Sequence, residues 1–209
     1  MTVWQDYASR IQRTFPAHKC ALLIVDVQVG FCSPNGKTAQ KHANTHMQTL
    51  PAKINAFVRD FRQRGGLPIY LKSTPSKDVI SEHVHWLNDL KGTSRPSSKH
   101  NPELDFYGLD ITENDIILEK LEDGFAHTNL KEILEARGIT TVLVCGVRTE
   151  ICVRRCAERS AAEGFLVFVL RDLCATRDAN YDHADQALMF LNAYTGIVLD
   201  SGQMMGLLT

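Results

Sequence analysis

Three residues able to do chemistry stand at or just past the ends of apolar runs. Asp26 follows Ala-Leu-Leu-Ile-Val, Lys120 follows Ile-Ile-Leu-Glu, and Cys152 lies seven residues past Cys145. Gathered in one crevice, a carboxylate, an ammonium and a thiol would make an acyl-transfer centre. The acid takes the thiol proton, the sulfur attacks a carbonyl, and the lysine balances the charge. Taken singly, each has an ordinary structural reading: Asp26 shapes a turn, Lys120 is a solvated charge, and Cys152 is a small buried hydrophobe. The segment Cys-Gly-Val-Arg-Thr-Glu-Ile-Cys-Val-Arg-Arg at 145–155 shifts that balance, because a strand ends at Gly146 and a helix opens near Thr149 or Glu150. Helix N-termini and nearby cations lower a cysteine pKa from about 8.5, so a thiol in that first turn is expected to ionise readily. Unpaired amides there also suit a developing oxyanion. Cys156, one turn further along, reads as a packed core thiol, as do Cys20, Cys145 and Cys174.

A trio so placed needs strands that end side by side. Four apolar runs, Ala21–Val25, Leu67–Leu71, Thr141–Cys145 and Leu166–Leu170, do not alternate with polar residues, which suits strands buried on both faces. Ile116–Leu118 and Ile197–Leu199 bring the number to about six. Between the runs, Asn44–Arg64, Asn129–Arg137, Glu150–Glu163 and Tyr181–Tyr194 carry apolar residues at helical intervals, with Gly65, Gly138, Gly164 and Gly196 as stops. The alternation predicts an α/β fold, a three-layer α/β/α sandwich around a parallel sheet, with ligands bound beyond the strands' carboxyl ends. The strand of Asp26 should then lie beside those of Lys120 and Cys152. The stretch 73–115, with Pro75, Pro96 and Pro102 in a polar setting, reads as an irregular, lid-like excursion from one domain spanning 1–209.

Composition narrows the partners. With 23 Lys and Arg against 24 Asp and Glu, no overall field gathers nucleic acid or anionic membrane, so the expected partner is a small molecule. Residues 1–19 lack the apolar core of a signal peptide, and Trp4 stands among charges there. Six scattered cysteines without a CxxC pair fit neither a disulfide framework nor a zinc ribbon, which points to a cytoplasmic protein with reduced thiols.

Three segments in this order, Asp-Val-Gln-Val-Gly-Phe at 26–31, Lys120 running into Gly-Phe-Ala-His-Thr-Asn-Leu at 124–130, and Gly-Val-Arg-Thr-Glu-Ile-Cys-Val at 146–153, resemble the isochorismatase-like cysteine hydrolases. That family includes nicotinamidases, N-carbamoylsarcosine and ureidoacrylate amidohydrolases and biuret hydrolase. The resemblance runs from Cys20 to Leu199. It implies Asp26, Lys120 and Cys152 as a catalytic triad, a cis peptide between Val147 and Arg148, and an oxyanion hole made by the Arg148 and Cys152 amides. It also implies a homo-oligomer and hydrolysis of a small amide, ureide or carbamoyl C–N bond through a thioester. Arg148 stands where many relatives would carry a small residue, and its side chain either crowds the pocket or holds an anionic substrate. The nicotinamidase branch would call for an Asp-x-His pair where this chain has Ser-Thr-Pro-Ser-Lys at 73–77, so no catalytic metal and no cofactor are expected. His83 and His85 read as surface polarity. Phe31, Trp86 and Phe125 are candidate walls of the substrate pocket, each with core packing as its ordinary alternative. Two competing functions are a vinyl-ether hydrolase acting on isochorismate and a non-catalytic binding or assembly protein on the same scaffold. Cys152 tilts against the first and the intact trio against the second.

Overall fold

The computed structural model describes residues 6–74, 81–92 and 101–209. Trp4, Pro75, Pro96 and residues 76–77 of the Ser-Thr-Pro-Ser-Lys stretch lie outside the described residues. Six strands form one sheet: β1 (Cys20–Val25), β2 (Leu67–Ser73), β3 (Ile116–Lys120), β4 (Thr141–Val147), β5 (Leu166–Ala175) and β6 (Ile197–Leu199). All pairings are parallel, in the spatial order β3-β2-β1-β4-β5-β6. Seven helices accompany them among the described residues: α1 (Val29–Cys32), α2 (Thr45–Gln63), α3 (Glu82–Leu90), α4 (Leu130–Ala136), α5 (Arg154–Ala162), α6 (Tyr181–Tyr194) and α7 (Ser201–Leu207).

The unbroken apolar runs follow from covering both faces of the sheet. In β1, Cys20, Leu22 and Ile24 join an apolar layer with Met47, Ile54 and Phe61 of α2 and Met204 of α7. Ala21, Leu23 and Val25 turn the other way and pack with Leu130 and Leu134 of α4, Ala157 of α5 and Leu191 of α6. The result is the expected three-layer α/β/α sandwich. None of these helices is long and apolar enough to cross a membrane.

The order of strands corrects one expectation. β1 lies beside β4, but β2 stands between β1 and β3, so Lys120 reaches Asp26 across a whole strand. The strand order reverses between β1 and β4, and in open α/β sheets ligands bind outside the carboxyl ends of strands at such a switch point. Asp26 follows β1 there, and Cys152 follows β4 by five residues.

Candidate active site

Gly146 lets the two central strands close at this point. It pairs with Val25, and its φ of +115° belongs to glycine. A Cβ on it would lie 2.2 Å from the Val25 carbonyl oxygen. On the β1 side the chain turns at once: Asp26 sits at φ +53°, a left-handed conformation that aspartate tolerates better than most residues. Its amide donates to the Leu71 carbonyl at 3.0 Å, which ties the turn to β2. Gln28 locks the same corner. Its Nε2 donates to the carbonyls of Ser73 and Leu104, and its Oε1 accepts from the Ser73 amide at 2.9 Å.

Lys120 ends β3 in register with Ser73 of β2. Neighbouring strands are about 4.8 Å apart, so the side chains of Lys120 and Asp26 together bridge roughly two strand spacings. Nζ donates to Asp26 Oδ2 at 2.8 Å and to the Glu122 carbonyl at 3.3 Å. Both side chains are essentially removed from solvent, at 0% and 1% exposure. Asp26 Oδ1 accepts no hydrogen bond among the described residues.

Cys152 lies in a π-type helical turn, Thr149–Val153, that runs directly into α5. The Val147–Arg148 peptide before it is cis. The Arg148 carbonyl accepts from the amides of Ile151 and Val153, at 3.0 and 3.2 Å, bracketing the Cys152 amide without engaging it. The structure therefore brings Asp26, Lys120 and Cys152 together at the carboxyl edge of the sheet.

Electrostatics correct the expectation of a readily ionised thiol. Burial pushes the Cys152 thiol well above its ordinary value, the Asp26 charge adds to that, and Lys120 opposes it without prevailing. For Lys120, burial works against the charge, but the Asp26 carboxylate outweighs it and holds the ammonium above its usual value. The resting trio is thus a carboxylate–ammonium pair beside a neutral thiol.

Asp26 and Cys152 open on a cavity of about 430 Å³ that is also lined by Phe31, Arg148, Ile151 and Arg177 among others, with Lys120 behind them. A larger and shallower depression of about 720 Å³ around Val84, Leu121 and Arg159 contains none of the trio. Of the three aromatic candidates, only Phe31 reaches the cavity. Trp86 stands on α3 with 64% of its surface exposed, because that helix leaves its apolar side uncovered. Phe125 is buried, with its ring 6.3 Å from that of Phe165, and serves as core packing. His83 and His85 are two apart on α3 and so project from different sides of the helix. Arg177 was not anticipated from the sequence, nor were Lys37, Lys41, His42 and Glu103 at the cavity mouth.

The chain belongs to the isochorismatase domain family, whose model matches residues 20–203. It is 29% identical over 213 residues to ureidoacrylate amidohydrolase RutB of Klebsiella pneumoniae (strain 342), covering 90% of this chain and 86% of that protein. It resembles in fold the crystal structure of a cysteine hydrolase from Pseudomonas syringae pv. phaseolicola 1448A, with a TM-score of 0.79 at 20% identity over 94% of this chain and 95% of the other. The crystal structure of N-carbamoylsarcosine amidase from Thermoplasma acidophilum is also similar, with a TM-score of 0.69 at 26% identity over 87% and 96% of the two chains. The family thus includes amidohydrolases.

Proposed function

We propose that this chain is a cysteine-dependent hydrolase that cleaves the C–N bond of a small amide, ureide or carbamoyl compound through a thioester on Cys152. The observation that carries the reading is the buried Asp26–Lys120 pair, 2.8 Å long, set beside the Cys152 thiol at the cavity. A thiol held neutral by burial needs a base at the moment of attack, and the unengaged Oδ1 of Asp26 is available for that role. As the proton passes to Asp26, the sulfur adds to the carbonyl carbon and the oxygen takes the negative charge. The Arg148 and Cys152 amides would receive that oxyanion. Collapse of the adduct breaks the C–N bond, and the departing amine takes the proton back from Asp26. Water then gives a proton to Asp26 and attacks the thioester, which releases the acid and restores the thiol. Lys120 keeps its charge throughout, so the proton moves within a group of constant net charge.

The test is a screen for ammonia release over ureides, carbamoyl amino acids, maleamate, nicotinamide and simple amides, followed by variants. Cys152→Ala and Asp26→Asn should each lower turnover by on the order of 10³-fold or more, since one removes the covalent route and the other its base. Cys156→Ala should keep most of the activity, because that sulfur is wholly buried behind the site. Mass spectrometry of quenched turnover should find an acyl group on the peptide containing Cys152. Near-full activity in a Cys152→Ala protein with a native circular-dichroism spectrum would remove the nucleophile assignment.

A further inference from the structure

β4 and β5 are neighbours, with Val147 opposite Ala175. Arg148 is the next residue on one strand and Arg177 lies two residues on along the other, so the fold delivers two guanidinium groups to the same edge of the sheet. Both line the cavity that holds Cys152. Arg177 is not on a loose loop. The following residue, Asp178, donates its amide to the Ala43 carbonyl, and its carboxylate accepts from the amide and hydroxyl of Thr45 at 3.0 and 2.8 Å.

Two like charges this close repel unless something between them is negative. Glu150 is the carboxylate near Arg148, 4.0 Å from its Nε, and it also accepts from Asn180. Arg177 has no carboxylate within ion-pair distance among the described residues, and its Nε is buried without a hydrogen-bond partner. Asp26, across the cavity, is already matched by Lys120. Towards the mouth, Lys37 and Lys41 face a single carboxylate, Glu103, which accepts from the Lys37 amide. The lining is therefore cationic once its internal pairs are set aside. Solvated arginines at a cavity mouth would be unremarkable, but a buried and unsatisfied guanidinium nitrogen is not a solvated one. Burial, and after it the charge of Arg177, holds Arg148 below its usual value, and the single nearby carboxylate, Glu150, offsets them only in part.

We infer that the cavity takes an anionic substrate: a small amide or ureide bearing a carboxylate that pairs with Arg177 and Arg148 while its carbonyl faces Cys152. The inference rests on the hydrolase reading above and narrows its substrate class. The planar guanidinium fork matches a carboxylate in two-point geometry, and a cavity of about 430 Å³ suits a small molecule. Phe31 supplies an apolar wall beside it.

The experiment compares alkylation of Cys152 by iodoacetate and by iodoacetamide, followed by peptide mass spectrometry, with glutathione as the free-thiol reference. Taking the ratio of the two rates removes the thiolate fraction from the comparison. At Cys152 the iodoacetate-to-iodoacetamide ratio should exceed that of glutathione by roughly tenfold or more, as expected from a charge-assisted hydrogen bond. Arg177→Gln should bring the ratio down toward the glutathione value through a larger fall in the iodoacetate rate than in the iodoacetamide rate, with a native circular-dichroism spectrum showing that the protein is folded. Arg177→Lys should retain part of the preference. With maleamate and its methyl ester as paired amides, Arg177→Gln should raise KM for the acid at least severalfold more than for the ester. A wild-type ratio at or below that of glutathione overturns the inference, as does a ratio unmoved by Arg177→Gln. Anion preference at Cys152 with no amide hydrolysed would support the anion site and count against the hydrolase reading alone. Hydrolysis of amides with no preference for the acid would overturn the anion site alone.

Discussion

Because Cys152 is held as a neutral thiol, the proposed trio shifts a proton internally instead of losing one to solvent, and the other cysteines share the same thermodynamic bias. Burial raises Cys20 to about 11 and Cys32 and Cys156 to about 12, from an ordinary value of 9.0. A group whose pKa is higher in the folded chain than in the unfolded one contributes stability in full below the unfolded value. That contribution is lost as pH rises through the folded value. Stability in reducing buffer should therefore be level from pH 7 to 8 and decline from about pH 9 upward, read as the urea midpoint at each pH. A midpoint that does not move between pH 8 and 10.5 would contradict this. The types and placement of Asp26, Lys120 and Cys152 were legible in the sequence, but the direction of the thiol shift was not, since it depends on how deeply the thiol is buried. Arg177 stayed hidden for a different reason. The apolar run suggests a strand ending at Leu170, whereas β5 continues to Ala175 through a register shift opposite Val144 and Gly146, and that extension carries Arg177 to the sheet edge.

Among the elements, the junction of β1 and β4 depends on one residue. Gly146→Ala would set a methyl group against the Val25 carbonyl at a φ that alanine resists. It should destabilise the fold by more than about 1 kcal/mol and displace Asp26 relative to Cys152, seen as a lower urea midpoint together with reduced turnover. An unchanged midpoint would mean that the strands can separate there at little cost. Strands of Val, Ile and Leu were readable because covering both faces removes polar residues from them. Their neighbours were not, since hydrophobic periodicity carries no information on spatial order, and Lys120 reaches Asp26 from two strands away. Three helices also escaped the sequence reading, the four-residue α1 among them. α3 lies in the polar excursion, although Ser81 caps it by accepting from the Val84 amide. α7 starts at a capping box formed by Asp200 and Gln203, a local signal present in the sequence that its short apolar content obscured.

At the scale of the whole molecule, the three-layer class followed from alternating apolar runs and helical intervals, while the covering of the site did not, because Trp86 and its helix turn an apolar side to solvent. The reach of Lys120 over β2 has a further consequence. Lys120 belongs to β3, the edge strand, where Ile117 is 46% exposed and residues alternate between partly buried and open. The ion pair spans 94 residues of sequence and exists only while that edge is docked. Edge elements with few buried contacts commonly open below the global unfolding free energy, as separate cooperative units. Hydrolysis should therefore fail at a lower urea concentration than the far-ultraviolet signal of the sheet, with amide protons of residues 116–120 exchanging faster than those of 21–25. If the two transitions coincide and the exchange rates match, the edge and the core open together. If they separate, activity reports on the docking of a single strand, and a protein that still looks folded by its spectrum can already have lost the ammonium that pairs with Asp26.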